Sequence, residues 1–339
     1  MNDPIDINTK KVIPHQVQKG FDKAIVLETM EKNIITHWNT WGKFQQIWTN
    51  QAFNTFKDFD KYLVLIYLIR DYFQQHANKF TYQTYEEFYS FDFVTIDKLN
   101  LIKISAELNI PKETIRRKVN ELQKDEILKR EGKSIILQRK LVGYQKPEKS
   151  LEALAILIHS KSKHFEYENW FGKGMEKDEI KVYIKKYFTI MWLLFLNLQI
   201  PFLLRHRSIF GDLETWMVWG NIALNHQKNL YKLVDNSVSH TEIDIQNYYQ
   251  KVSNTNIVRG VNASSISDIS NIPRATVIRK LKWLTLNKVI TKNKYLEYLM
   301  TNKGILNKKI ESNFKNNQVF VAKFLTDFFD YYKNSNFKP

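Results

Sequence analysis

Two stretches of this chain carry side chains suited to gripping a polyanion. The first supplies Lys112, Glu113, Thr114, Arg116, Arg117 and Lys118; the second supplies Arg274, Thr276, Arg279, Lys280 and Lys282. An arginine fork matches the acceptor edge of guanine, whereas lysine and threonine suit phosphate oxygens, which give affinity without sequence information. Each stretch is followed by a second basic group, Lys129, Arg130 and Lys133 after the first and Lys292 and Lys294 after the second. The whole chain points the same way, with 51 Lys and Arg against 35 Asp and Glu, a balance that favours a polyanionic partner.

Other chemistries find little support. The chain has no cysteine, which excludes disulfides, thiolate metal sites and cysteine nucleophiles. His159, His164, His206, His226 and His240 do not fall at metal-ligand spacing, and neither a glycine-rich phosphate loop nor a nucleophile elbow occurs. Asp58 and Asp60, like Asp212 and Glu214, look like paired carboxylates. Both pairs stand just before apolar runs, where helix capping is the better reading. No catalytic residue, metal or cofactor is expected.

The elements that must hold these cations are written twice. Leu99–Leu122 and Val261–Leu284 align without gaps, with Asn, Ile, Pro, Thr, Arg, Lys and Leu recurring at matched positions 162 residues apart. Repeats of this kind decide architecture, because each copy is one folding unit. In the first copy Leu101, Ile104 and Leu108 mark one face of a short helix. Asn109 suits a left-handed turn, Ile110 plugs it, and Pro111 opens a second helix whose Ile115, Val119 and Leu122 face the first. In the second copy Ile266 and Ile269 line the first helix, Asn271, Ile272 and Pro273 turn, and Val277, Leu281 and Leu284 bury the second. This is a helix-turn-helix, whose second helix can enter a major groove. Ile127-Leu128 and Ile135–Leu137 read as short strands of a basic hairpin; in the second copy Asn293-Lys294 would turn a less obvious one.

The segments "IPKETIRRKV" and "IPRATVIRKL" resemble the recognition helices of winged helix-turn-helix regulators of the Crp and MarR type. The resemblance covers 99–141 and 261–300, about a quarter of the chain. It implies base contacts from a basic residue, a glutamate and a later arginine. Those positions hold Lys112, Glu113 and Arg117 in the first copy and Arg274, Ala275 and Arg279 in the second. The alanine departs from the pattern, so the two copies should read different half-sites. No nucleotide-binding barrel is seen, so kinship with Crp regulators over the whole protein is not implied.

The duplication extends upstream. "FKDFDKYLV" at Phe56–Val64 echoes "FGDLETWMV" at Phe210–Val218, now 154 residues apart, which sets Trp192 opposite Trp38 and Gln199 opposite Gln45. Tyr187–Leu204 has no charge and reaches the lower length limit of a membrane span. Its counterpart is polar, so a buried helix between the units is expected and no membrane. The tryptophans Trp38, Trp41, Trp48, Trp192, Trp216 and Trp219 read as core or interface, with a small-molecule effector pocket as the alternative.

The sequence therefore predicts a mainly α protein of two duplicated winged helix-turn-helix units with small β wings, joined by long helices. Its divisions are a flexible lead (1–16), two units (17–148 and 149–310) and a C-terminal helix (311–339). The expected function is sequence-specific binding of double-stranded DNA as a cytoplasmic, nucleoid-located transcriptional regulator, either a monomeric pseudo-dimer or a homodimer. A tandem winged-helix replication initiator and a nucleoid-architectural protein are the alternatives.

Overall fold

A computed structural model describes residues 22–96, 99–132, 134–138, 146–167, 174–235, 245–254, 259–335 and 337. Among them the chain is mainly helical, with small antiparallel sheets. Its elements form two similar series. The first runs α1 (Lys23–Lys32), α2 (Ile34–Phe56), α3 (Phe59–Asn78), α4 (Tyr85–Ser90), β1 (Phe93–Ile96), α5 (Leu101–Leu108), α6 (Lys112–Lys124), β2 (Leu128–Glu131), β3 (Ser134–Gln138) and α7 (Glu148–Tyr167). The second runs α8 (Lys177–Lys186), α9 (Phe188–Phe210), α10 (Leu213–Asp235), α11 (Ile245–Asn254), α12 (Ala263–Ser270), α13 (Arg274–Leu286), β4 (Ile290–Lys292), β5 (Tyr298–Met300) and α14 (Ile305–Asn334). The shift in offset from 154 to 162 arises between the long helix and the helix-turn-helix. There α10 and α11 have 23 and 10 residues where α3 and α4 have 20 and 6.

The paired carboxylates do cap helices. Asp58 Oδ1 accepts the Lys61 N–H at 2.8 Å to start α3, and Asp212 Oδ1 accepts the Thr215 N–H at 2.7 Å at the start of α10. Each satisfies an otherwise orphaned first-turn donor and places a negative charge at the positive end of a helix.

The two series interlock rather than sit side by side. Helix α2 packs on α10, and its counterpart α9 packs on α3; α1 packs on α14, and its counterpart α8 packs on α7. Such reciprocal contacts are what a two-fold axis produces. On that axis Gln45 Nε2 donates to Gln199 Oε1 at 2.8 Å, and Gln199 Nε2 donates back to Gln45 Oε1 at 2.9 Å. Both amides are buried, so each satisfies the other where water cannot.

The charge-free run lies in α9, which by length and composition alone could cross a membrane. Most of its apolar surface is buried against α3, α10 and α14. Trp48 packs on Phe195 with centroids 4.6 Å apart, and Trp41 meets Phe202 edge-on at 5.3 Å. One buried apolar cluster runs through both series. The division expected at 148/149 falls at the start of α7, which packs along α2. The final helix begins at Ile305, ahead of the expected 311, and packs along α9. The expected lead, 1–16, lies outside the described residues.

Candidate nucleic-acid interface

Both quoted motifs build the same backbone. Asn100 Oδ1 accepts the Lys103 N–H at 3.0 Å to open α5, and Asn262 Oδ1 accepts the Ser265 N–H at 2.9 Å to open α12. Asn109 and Asn271 end these helices in the left-handed region, with φ of 48° and 56°. Asparagine visits that region more readily than other side chains larger than glycine. Ser105 and Ser267 then donate their hydroxyls across the turn to the carbonyls of Ile110 and Ile272, each at 2.7 Å. Pro111 and Pro273 lead into α6 and α13 with ψ of 137° and 135°. Ile104, Leu108, Ile115, Val119 and Leu122 are buried in the first copy, and Ile266, Val277, Leu281 and Leu284 in the second.

One apolar assignment changes. Ile269 is 45% exposed, and Ser270 takes the buried position instead. The cause is helical phase, because Ser270 stands four residues after Ile266 and matches Leu108 in the register. Its hydroxyl donates to the Ile266 carbonyl at 2.6 Å, which removes the cost of burying it.

A hairpin follows each second helix. In the first copy β2 pairs antiparallel with β3, turning at Gly132 with φ of 61°. Strand β1 adds to the other edge of β3, giving the order β1-β3-β2. Sequence reasoning missed β1, although the alternation of "FVTI", with Val94 and Ile96 buried, was its signal. In the second copy β4 pairs with β5, and Val261 bridges Tyr298 where β1 would lie. This turn starts at Asn293, whose Oδ1 accepts the N–H groups of Tyr295 and Glu297, each at 2.9 Å.

Most of the expected contact residues face solvent. Lys112, Glu113, Arg116 and Arg117 are exposed on α6, and Arg274, Arg279 and Lys282 on α13. Lys129 and Arg130 on β2, Lys292 on β4 and Lys294 in the second turn are exposed as well. Thr114 and Thr276 are half-buried. Lys133 lies outside the described residues.

Lys118 and Lys280 are corrections. Lys118 Nζ reaches inward to Asp58 Oδ2 at 2.7 Å and to Glu121 Oε2 at 2.8 Å, with its side chain only 8% exposed. Lys280 Nζ makes the equivalent bond to Asp212 Oδ2. Burial penalises the charge on Asp58, but Lys118 and the Lys61 amide outweigh it and hold its carboxyl below the usual range. The same balance of burial, Lys280 and Thr215 lowers Asp212. These lysines fasten each second helix to the capped end of a long helix. The cue was present: Lys118 sits with Ile115, Val119 and Leu122 at i, i+3, i+4 and i+7, and Lys280 sits likewise.

The two faces differ in charge. Segment 112–138 has eight basic residues against five acidic, whereas 274–300 has seven against one. On α6, Arg116 Nε bonds Glu113 Oε2 at 2.8 Å and Arg117 Nε lies 3.7 Å from Glu121 Oε1; Lys129 Nζ on β2 bonds Glu131 Oε1 at 2.9 Å. Exposed pairs like these are worth at most about 1 kcal/mol, so a phosphate or base edge can replace the carboxylate. Arg279, Lys282, Lys292 and Lys294 make no salt bridge among the described residues, and the one acid, Glu297, is buried. The second face is the stronger positive surface. Among the described residues no group of three or more His, Asp or Glu is placed to hold a metal ion.

No family model matches this chain, and neither a curated protein nor a solved structure shows significant similarity to it.

Proposed function

We propose that the chain binds double-stranded DNA with sequence preference, through two winged helix-turn-helix units that act as a covalent pseudo-dimer. The observation that carries this reading is a repeated one. A capped short helix, a left-handed Asn turn, a second helix with an outward cationic face and a hairpin recur with matched hydrogen bonds. Each second helix would lie in the major groove with Lys112 and Glu113, or Arg274, nearest the bases, and each hairpin against the backbone. The reciprocal packing supports one chain doing the work of two subunits, on a cytoplasmic nucleoid. Regulation of transcription is the role that suits two unlike reading heads.

The test is fluorescence anisotropy against genomic and random duplexes across a salt series. Affinity should fall steeply with salt as condensed counterions are released. Arg117→Ala and Arg279→Ala should each weaken the preferred site by about 1–3 kcal/mol and relax preference at different positions of it. Lys282→Ala should weaken all sequences alike and lower the salt slope by about 1. Equal affinity for every duplex would replace this reading with an architectural one, and no binding at low salt would end it.

A further inference from the structure

The interlocked helices enclose two cavities at equivalent places, and the differences between them are informative. One lies between the N-terminal half of α9, the C-terminal half of α2, α3 and α4, and has a volume of about 420 Å³. The other lies between α2, the C-terminal half of α9, α10, α11 and α14, and has a volume of about 110 Å³. Under the 154-residue register, Leu196, Ile66 and Ile69 in the first correspond to Gly42, Gly220 and Ala223 in the second. Leu65 becomes Trp219, and Phe73 becomes Gln227. At these matched positions the first cavity has Leu, Ile and Phe, and the second has Gly, Ala, Trp and Gln.

Charge separates them too. Lys146, Glu148 and Lys149 line the first cavity, while among the described residues no Asp, Glu, Lys or Arg lines the second. Its histidine, His206, is held neutral by burial, its pKa lowered to about 3. Polar satisfaction is the third difference. Trp38 Nε1, Trp41 Nε1, Trp219 Nε1, Asn50 Oδ1, Asn313 Oδ1 and Gln227 Oε1 belong to the walls of the second cavity, are buried, and have no partner among the described residues; no described wall residue of the first has such an atom. Buried polar groups are nearly always paired, so three indole donors and three amide acceptors around one cavity mark a place where a ligand completes the pairing.

The second cavity also touches two anchors of the second reading head. Asn50, in its wall, donates through Nδ2 to the Ile269 carbonyl at 3.0 Å, just before the turn into α13. Met300, another wall residue, belongs to β5, and its N–H donates to His226 Nε2 on α10 at 2.9 Å. Helix α10 starts at Asp212, which holds Lys280.

We propose that this second cavity binds an uncharged, planar heteroaromatic molecule carrying both donor and acceptor groups, and that its occupancy changes the DNA affinity of the second head. The indole and phenyl walls supply stacking surface, the orphaned atoms fix orientation, and the lack of any ionised wall group rejects charged ligands, whose desolvation nothing repays. Coupling to DNA rests on the function proposed above; occupancy of the cavity does not.

The experiment uses the full chain and three neutral probes that each carry an N–H donor and an acceptor, 2-quinolone, quinazolin-4-one and indazole, with 1-naphthoate as an anion of similar size. Saturation-transfer NMR and tryptophan quenching should show at least one neutral probe binding, at least tenfold more tightly than naphthoate. A Cβ built on Gly220 meets nothing within 4 Å, so side chains grow there into open space. Gly220→Ala should weaken the probe measurably, and Gly220→Ile, which restores the residue of the first cavity, at least tenfold. Neither should lower the unfolding midpoint. Trp41→Phe, which deletes one donor, should weaken it several-fold. In DNA anisotropy, a saturating probe should move Kd at least threefold, and Gly220→Ile should abolish the shift. No binding by any neutral probe, equal binding of naphthoate, or indifference to both Gly220 changes would overturn the pocket. Probe binding with an unmoved DNA affinity would overturn the coupling. A chain that binds probes but no DNA would fail the DNA reading alone, because the quenching arm does not depend on it.

Discussion

The residue scale is where solvent and protons decide. Lys118 is buried and Lys280 half-buried against helix-capping carboxylates, so removing the amine strands a partly buried charge. Lys118→Ala should destabilise the fold by about 1–3 kcal/mol at pH 7 in urea unfolding, the range for losing a hydrogen bond to a charged group. Because Asp58 and Asp212 titrate lower in the folded chain, their contribution is complete above the unfolded carboxylate pKa and is lost as pH falls through the folded value. The deficit of Lys118→Ala should therefore shrink toward pH 2. Lys161 behaves oppositely. It is 1% exposed, donates to Thr40 Oγ1 at 2.9 Å, and burial holds its amine far below the ordinary lysine pKa. The unfolded chain keeps that proton up to about pH 10.4, so stability should rise with pH above the lowered folded value and level off near pH 10.4. Lys161→Met should raise the melting temperature at pH 7 and flatten that rise. His76 and His164, both lowered to about 4 by burial, add a loss of stability as pH falls below about 6.5. The outward cations Arg117 and Arg279 were legible from residue type alone. The inward lysines were not read correctly, because a basic residue in a basic helix draws attention to charge before helical phase.

At the scale of elements, local chemistry and tertiary context divide the work. The left-handed turns at Asn109 and Asn271 follow from residue type, and so do the caps at Asp58 and Asp212. Asn271→Gly should leave stability nearly unchanged, whereas Asn271→Ile should cost about 1–2 kcal/mol by thermal unfolding, since a β-branched side chain is strained at positive φ. Strand β1 and the Val261–Tyr298 bridge were harder to see. A strand of four residues, or a single bridge, exists only because a neighbouring hairpin offers it an edge, and that edge lies some forty residues away in sequence.

On the scale of the whole molecule, two similar series of elements could be read from spacing but their interlocking could not. Equal offsets reveal two copies; they do not say that α1 packs on α14 or that α8 packs on α7. This predicts joint folding. A fragment ending at 167 should stay largely unfolded by circular dichroism when expressed alone, and gain helical signal when mixed with a fragment beginning at 168. Independent folding of either fragment would contradict the shared core. The buried Gln45–Gln199 pair has a longer consequence. In a symmetric dimer a glutamine on the axis meets its own copy, and every change is imposed on both sides at once. Here the sides have separate codons, and they have drifted apart in charge, in cavity and in the Glu113/Ala275 position. A symmetric dimer cannot tell upstream from downstream on its operator. A chain with two unlike heads can, so under the function proposed above it would carry a direction on DNA.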